Sequence, residues 1–247
     1  MVETAGRAGF ERAVSDYALA ELTLPDHVLA VAADSLDRTG LFLLGELHGV
    51  AQTPNAILGL VSGLRVRALA FEWSYDELDH VVQPVLTTGA VDSDALWALP
   101  SSVEAFSGDG RFTAGHVRLL EHLADRLDRI VLLDRAVSEE TGRERGMAQR
   151  LLAARRLGTP MLAVLGGGHV VRVSQDEVQS VGMLVDQELP GVANGIVVPS
   201  SGTCWFHGEM ELPLGNLPRA DVIVPIGVAS PAVVPQHPAN VRGARRA

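Results

Sequence analysis

Short, wholly apolar runs recur along the chain, separated by stretches in which apolar residues repeat every three or four positions. A short run that is apolar throughout is typical of a strand buried on both faces of a sheet. Six runs predict such strands: LFLLGE (41–46), RALAFEW (67–73), RIVLLDR (129–135), PMLAVLGGGHVV (160–171), NGIVVPSS (194–201) and DVIVPIG (221–227).

Between these runs, the spacing of apolar residues is helical. It predicts helices over residues 8–22, 26–38, 53–64, 75–86, 93–99, 116–127 and 138–156. Ser138 is the predicted N-cap of the last of these helices. Strands that alternate with helices predict an α/β fold, with a mostly parallel central sheet and helices on both faces.

No linker or repeat divides the chain, so we expect one domain over residues 1–228, in which residues 1–39 form N-terminal helices. The last segment, residues 229–247, combines prolines and arginines, which is typical of a flexible surface tail.

Titratable residues stand where four of the predicted strands end. The strand ends carry, in chain order, Glu46 with His48, Glu72, Asp134 with Arg135, and Gly166-Gly167-Gly168-His169. The carboxyl ends of parallel strands meet at one edge of a sheet, where ligands bind. We therefore expect an active-site rim at this edge.

These residues fit two kinds of chemistry. His48, His169, Glu46 and Glu72 are ligands of the type that hold Zn²⁺, Mn²⁺ or Fe²⁺ with one position open for water. Without a metal, a histidine oriented by a carboxylate is a general base, and an arginine stabilises a developing oxyanion. The spacing does not separate these alternatives.

Other polar residues are weaker candidates. Asp109 and Arg111 lie in the glycine-rich segment SGDGRF, which we expect to be a mobile loop. His207, in TCWFHGE, is a candidate to reach a pocket, whereas Cys204 has no identified base and is expected to be a small core residue. The histidines on predicted helices are expected to be structural or solvated: His80, His116 and His122.

Composition narrows the functional classes. The net charge of −10 argues against binding to nucleic acid. The one cysteine forms no internal disulfide, and no basic and apolar leader or run of roughly 20 apolar residues is visible. We therefore expect a cytoplasmic protein with no membrane or nucleic-acid partner.

All 20 basic residues are arginine. The absence of lysine excludes Schiff-base, pyridoxal phosphate and P-loop chemistry. A lysine-free chain rich in arginine, alanine and valine is also typical of a high-GC genome, which suggests bacterial secondary metabolism as the setting.

Several motifs resemble those of a known superfamily. The segments GELHG (45–49) and GGGH (166–169) resemble the paired G-x-x-H motifs of the erythromycin esterase and ChaN-like proteins, which also include TraB and Tiki proteins. FEW (71–73) matches an apolar strand that ends in Glu, and RERGMA (143–148) resembles an Arg-Asp-x-x-Met-Ala helix, with Glu144 replacing the Asp. The resemblance covers approximately residues 40–172.

The resemblance implies roles for five residues. His48 would be the general base or a metal ligand, Glu46 and Glu72 would orient it or complete the coordination, Arg143 would hold the carboxylates or an anionic transition state, and His169 would be a second ligand or an acid. Tyr75, Gly167, Gly168 and His207 are the candidate substrate-binding residues.

The expected function is a hydrolase, or a related acyl-transfer or elimination enzyme, that acts on a small ester, lactone or peptide. A divalent metal is one expected cofactor. The alternatives are a haem-binding protein, with His48, His169 or Tyr75 as the axial ligand, and a non-catalytic scaffold.

Overall fold

The computed structural model describes residues 5–136, 140–172, 174–175, 178–212 and 219–243. The helices are α1 Arg7–Asp16, α2 Asp26–Thr39, α3 Thr53–Leu64, α4 Tyr75–Val82, α5 Val85–Thr88, α6 Ser93–Ala98, α7 Ala114–Leu123, α8 Glu140–Ala154, α9 Gly167–Val170, α10 Val181–Glu188 and α11 Pro238–Gly243, with a 3-10 turn at Glu104–Phe106. The strands are β1 Leu41–Glu46, β2 Ala68–Ser74, β3 Arg129–Asp134, β4 Met161–Gly166, β5 Ser174–Gln175, β6 Val178–Gln179, β7 Ala193–Val198, β8 Ser201–Trp205, β9 Glu209–Glu211, β10 Val222–Pro225 and β11 Val228–Ala229.

The six predicted strands form one central sheet in the order β10-β7-β1-β4-β2-β3. Every neighbouring pair in this sheet is parallel. The predicted α/β fold is therefore confirmed, and the sheet is parallel throughout. β4 follows β2 and β3 along the chain but lies between β1 and β2, so the two strands that carry the G-x-x-H motifs are neighbours.

Helices cover both faces of the sheet. Successive residues of a strand point to opposite faces, so each strand contributes side chains to both layers of the core. Phe42 and Leu44 of β1 pack into the core with α2, α3 and α7. Leu41 and Leu43 pack into a second core with α8 and α10. All four side chains are buried, which explains why this strand is apolar at every position before Glu46.

Two predicted helices are shorter than their apolar patterns suggest. The first ends at Asp16, because the backbone at Tyr17 is extended. The helix predicted over residues 75–86 is divided into α4 and α5 near Pro84, which has no N–H to continue the helical hydrogen bonds. Ser138, the predicted N-cap of α8, lies outside the described residues.

The prediction that residues 229–247 form a surface tail is wrong for the first part of this segment. Ala232 and Val234 are only 3% and 2% exposed. The N–H of Ala232 donates to the carbonyl of Gly49 at 2.8 Å. The segment from residue 229 therefore packs beside the loop that follows β1, whereas residues 244–247 lie outside the described part of the chain.

The loop after β1 is held by close backbone contacts. A β-carbon at Gly49 would stand 1.7 Å from the carbonyl oxygen of Trp205, and one at Gly110 would stand 2.5 Å from the Gly49 backbone. Both glycines have positive φ, which favours glycine. The loop containing Arg111 is thereby packed against the end of β1.

A second, three-stranded sheet in the order β11-β8-β9 contributes Trp205 to that contact. No helix in the described part of the chain is long and apolar enough to span a membrane.

Candidate active site

Polar side chains from neighbouring strands meet at one edge of the sheet. Glu46 ends β1 and lies in register with Gly166, the last residue of β4. Glu72 lies near the end of β2, and Asp134 ends β3. His169 follows Gly166 in the short helix α9. The parallel sheet thus brings together residues that are more than a hundred positions apart in the sequence.

His48 is oriented by the carboxylate that ends its own strand. Its Nδ1 donates a hydrogen bond to Glu46 Oε1 at 3.1 Å. Its Nε2 lies 3.9 Å from Glu72 Oε2, which is beyond hydrogen-bond distance. The side chain is 18% exposed. Because Glu46 accepts the Nδ1 proton, Nε2 is the nitrogen that is left to accept a proton.

A second histidine lies behind Glu46. His116, buried in α7, has its Nε2 3.3 Å from Glu46 Oε2. Its Nδ1 lies 2.9 Å from the hydroxyl oxygen of Thr113. Burial raises the pKa of the Glu46 carboxyl, but His116 and His48 lower it by more, so the net shift is downward. Glu46 is therefore an anion that two imidazoles share.

Glu72 is the central carboxylate of the site and is only 3% exposed. The pairing of β2 with β3 shifts register between Phe71 and Ser74, and such bulges redirect the side chains within them. Glu72 Oε2 accepts from the backbone N–H of Gly166 at 2.7 Å. Its Oε1 accepts from Arg143 Nη2 at 2.6 Å.

His169 is held between two carboxylates. Its Nδ1 lies 2.6 Å from Glu144 Oε1, and its Nε2 lies 3.2 Å from Glu72 Oε1. Glu144 Oε2 also accepts from the backbone N–H of Val181, at 2.9 Å. The glutamate that replaces the aspartate of the resembling motif thus joins α8, α10 and His169.

Arg143 extends from α8 into the same cluster. Its Nε donates to Asp134 Oδ2 at 2.9 Å. Its Nη1 lies 3.4 Å from His169 Nε2 and is hydrogen-bonded to no carboxylate among the described residues. One nitrogen of this guanidinium group therefore faces the same space as His169.

Arg111 enters the site from the loop after the 3-10 turn. Its Nη1 lies 2.6 Å from Glu104 Oε1 and 3.4 Å from Glu72 Oε1. Its Nε donates to Asp109 Oδ2 at 2.7 Å. Burial raises the pKa of Glu104 to about 7, although Arg111 opposes the shift. The expectation of a mobile loop is not supported, since these contacts and the packing of Gly110 hold the segment.

Protonation states differ among the three central groups. Burial raises the pKa of Glu72, but His169, His48 and Arg143 lower it well below its ordinary value. Burial lowers the pKa of His169, but Glu144 and Glu72 raise it to about 9. Burial also lowers the pKa of His48, and Glu46 and Glu72 more than offset this effect. At neutral pH, Glu72 is an anion and His169 a cation.

Three side chains of the cluster approach Gly166 closely, at the end of β4. A β-carbon at this position would stand 2.9 Å from His48 Nε2, 3.3 Å from Glu72 Oε2 and 3.3 Å from His169 Cδ2. The carboxylate is buried, whereas the side chains of His48 and His169 are 18% and 21% exposed. The two imidazoles are thus the groups that a molecule entering from solvent meets first.

The four candidate substrate-binding residues lie in three places. Gly167 and Gly168 begin α9, beside the histidine cluster. Tyr75 lies under the guanidinium group of Arg150, 4.0 Å from its ring centroid. His207 is exposed in the turn after β8, where its N–H donates to the Gly108 carbonyl at 2.7 Å. Among the described residues, no hydrogen bond joins the His207 ring to the cluster.

Sequence reasoning missed Glu104 and His116 as members of the cluster, and named Arg111 only as a weaker candidate in an expected mobile loop. His116 was expected to be a structural or solvated helix residue, and it is 1% exposed. Thr113, which caps α7 through the N–H of His116, is a local signal that the turn is ordered. No sequence pattern around Glu104 indicates a role in the site, because its link to the cluster is a salt bridge with Arg111.

The four proposed metal ligands do not fit a metal ion as they are arranged. Within the described residues, no three His, Cys, Asp or Glu side chains are placed to hold one. Glu72 already accepts from Arg143 and Gly166. A metal ion beside Glu72 would also face the positive charges of Arg143 and His169.

The cluster does not fit a haem group either. A haem face packs against apolar side chains while an axial ligand points at the iron. The neighbours of His48 and His169 are carboxylates and guanidinium groups. Tyr75 is covered by Arg150.

No protein-family model and no curated protein sequence matches this chain. Several solved structures have a similar fold. A Bacillus cereus protein aligns with a TM-score of 0.62 at 10% identity, over 94% of this chain and 100% of its own. A succinoglycan biosynthesis protein aligns with a TM-score of 0.56 at 9% identity, over 93% of this chain and 95% of its own.

A third similar structure is the C-terminal region of Pasteurella multocida toxin, which has a thiol-protease-like catalytic triad. It aligns with a TM-score of 0.51 at 10% identity, over 87% of this chain but only 28% of its own. At these identities, the three likenesses establish a shared fold.

Proposed function

We propose that this protein is a hydrolase that acts on a small ester, lactone or peptide by metal-free acid–base catalysis, with His48 as the general base. One observation carries the proposal. His48 is hydrogen-bonded through Nδ1 to Glu46, its side chain is 18% exposed, and its Nε2 lies beyond hydrogen-bond distance of Glu72. A histidine oriented in this way accepts a proton from water.

In the first step, His48 Nε2 takes a proton from a water molecule as the water oxygen attacks the substrate carbonyl carbon. The electron pair of the carbonyl double bond moves to its oxygen. Glu46 stabilises the resulting imidazolium through Nδ1–H. A buried carboxylate behind a catalytic histidine commonly has this role: it orients the imidazole and stabilises the imidazolium.

Arg143 Nη1 is a donor for the negative charge that develops on the carbonyl oxygen. His169 Nε2 lies 3.4 Å from it and donates to Glu72, so His169 contributes a nearby positive charge. Preorganised groups of this kind stabilise an oxyanion without reorganising during the reaction. The intermediate then collapses, the bond to the leaving group breaks, and the proton held by His48 passes to the leaving atom.

Water is the proposed nucleophile because neither catalytic histidine is bonded to a hydroxyl or thiol. In the described part of the chain, the side-chain partners of His48 and His169 are carboxylates and Arg143. Cys204, the single cysteine, is buried, and burial raises the pKa of its thiol. We therefore do not propose for this protein a thiol mechanism like that of the Pasteurella toxin region.

Two further lines of support are broader. The paired G-x-x-H segments resemble those of the erythromycin esterase and ChaN-like superfamily, whose members include hydrolases. The fold is also similar to that of a toxin region with a protease-like triad.

The test compares the wild-type chain with His48→Gln on 4-nitrophenyl acetate, simple γ- and δ-lactones, and short peptides. We expect wild-type turnover of at least one class, and a loss in kcat of roughly 10²- to 10⁴-fold in the variant. His122→Gln is the matched control, since His122 is exposed at the end of α7. Melting curves check that both variants fold.

Dialysis against a chelator separates the two chemistries. The metal-free proposal expects the rate to survive dialysis. An unchanged rate in His48→Gln, no turnover of any class, or activity that is lost on dialysis and restored by Zn²⁺ or Mn²⁺ would contradict it.

A further inference from the structure

A cleft of about 690 Å³ opens beside the catalytic cluster, between the start of α4, the end of β3 and α8. Its size is typical of a small-molecule site. Arg143 and Asp134, which belong to the cluster, line one end, and Tyr75 and Arg150 line another part of the wall. The cleft is therefore continuous with the residues that surround His169.

One face of α8 forms the wall of this cleft. Arg143, Gly146 and Arg150 stand at positions i, i+3 and i+7, which share a face of a helix, and all three line the cleft. With a rise of 1.5 Å per residue, Arg150 lies about 10 Å along the helix from Arg143. A molecule lying along this face would reach from Arg150 to the catalytic cluster.

Arg150 is held in place but has no acidic partner. Its Nε donates to the Leu132 carbonyl at 2.6 Å, and its guanidinium group lies 4.0 Å from the Tyr75 ring centroid. In the part of the chain that the structure describes, Arg150 forms no salt bridge. In contrast, Arg143 is paired with Asp134, and Arg135 with Asp76.

The charge of the cleft is opposite to that of the protein. Three arginines and one aspartate line it, although the chain as a whole has a net charge of −10. Arg143 and Arg135 are paired with carboxylates, so Arg150 is the cleft arginine that an organic anion meets without an acidic partner among the described residues. A guanidinium group with its terminal nitrogens available binds a carboxylate through two parallel hydrogen bonds.

Two glycines leave part of this helix surface without a side chain. Gly142 and Gly146 line the cleft, and a β-carbon built on either would meet no atom within 4 Å. Glycine is unfavourable inside a helix, and packing does not require it here. The two glycines leave room along the path from Arg150 to Arg143.

We propose that this cleft binds a carboxylate carried by the substrate, with Arg150 as its partner, about two helical turns from the reacting carbonyl. The substrate class is then an ester, lactone or amide that bears a distant carboxylate. This inference rests on the proposed hydrolase function for the reaction, but the binding of the carboxylate does not depend on turnover.

Binding is tested by calorimetry with phenylacetate, phenylacetamide and phenyl phosphate on the full chain. We expect phenylacetate to bind at least about tenfold more tightly than the neutral amide. Arg150→Met should weaken phenylacetate binding by about tenfold or more, since hydrogen bonds to a charged group are lost. The matched control is Arg145→Met, because Arg145 is exposed on the same helix and does not line the cleft.

Gly146→Leu provides a second test if Arg150→Met does not fold. Leucine favours the helix over glycine, so this variant is expected to melt no lower than the wild type. Its side chain would occupy the cleft and weaken phenylacetate binding. Unchanged phenylacetate affinity in a folded variant of either kind would overturn the proposal, as would phenyl phosphate binding at least tenfold more tightly than phenylacetate.

A kinetic pair separates this inference from the proposed function. The half-ester mono-4-nitrophenyl suberate carries a carboxylate at the end of its eight-carbon chain, whereas 4-nitrophenyl octanoate has the same length without the charge. A higher kcat/KM for the half-ester, lost in Arg150→Met, supports the inference. Equal values overturn it while leaving a hydrolase, and phenylacetate binding without turnover of any ester contradicts only the proposed function.

Discussion

The ends of β1 and β4 follow the same plan. Each has a glycine followed three residues later by a histidine, and each histidine has a carboxylate at its Nδ1, within 3.1 Å for His48 and 2.6 Å for His169. Both direct Nε2 towards Glu72. The two strands are neighbours in the sheet, and Glu46 lies in register with Gly166.

The surroundings of the two imidazoles differ. His169 Nε2 lies 3.2 Å from Glu72, whereas His48 Nε2 lies 3.9 Å away. Glu144 contacts one histidine, His169, whereas Glu46 contacts two, His48 and His116. These carboxylates raise the pKa of both imidazoles, that of His169 to about 9. In the proposed mechanism, the like motifs supply a base at one strand end and a cation at the other.

The largest expected effect comes from removing the carboxylate that both histidines face. Glu72→Gln removes the buried carboxylate that Arg143 and His169 share and leaves Arg143 with Asp134 and His169 with Glu144. Breaking a buried ion pair in this way costs up to about 3–5 kcal/mol in the free energy of unfolding. Urea unfolding measures the loss, with the exposed Glu21→Gln as the control. A change below about 1 kcal/mol would show that Glu72 does not hold the site together.

The pH dependence of turnover separates the two histidines. As the base, His48 must be neutral, so kcat/KM should rise through its pKa, which lies above 6.5. As the cation, His169 must be protonated, so kcat/KM should fall around pH 9. His169→Gln is expected to lower the rate and to remove the alkaline fall. An alkaline fall that persists unchanged in this variant would assign it to another group.

The smallest effect is on stability at alkaline pH. The pKa of His169 rises from 6.5 to about 9 on folding, so its stabilising contribution is complete below pH 6.5 and is lost as the pH rises through 9. The free energy of unfolding should fall across this range. Glu144→Gln removes one of the two carboxylates that raise the pKa, so it should flatten the slope; an equal slope in both proteins would argue against this linkage.

Local patterns were sufficient for the strands and for part of the site. Six apolar runs became the six strands of the central sheet, because a strand covered by helices on both faces has no position for a polar side chain. The same logic placed Glu46, Glu72 and His169 at one edge, since parallel strands end together. The resemblance of RERGMA to an Arg-Asp-x-x-Met-Ala helix added Arg143, which lies within the cluster.

Other members of the site come from contacts that no local pattern encodes. Arg111 and His116 approach from a loop and a helix, and their positions depend on the packing of Gly49 against Gly110 and Trp205. The segment predicted as a tail packs for the same reason: Ser230 and Ala232 are hydrogen-bonded to Ala51 and Gly49, about 180 positions earlier in the chain.

The sequence by itself determined the class of fold, the strands and the edge at which titratable residues gather, because periodicity reports which residues are buried and where a buried run ends. The order of the strands, with β4 between β1 and β2, was decided only in the tertiary structure. The proposal of acid–base chemistry over metal ligation also rests on the tertiary structure. Both depend on which distant groups become neighbours, and the placement of Arg143 and Arg111 against Glu72 is what makes that carboxylate the partner of cationic side chains.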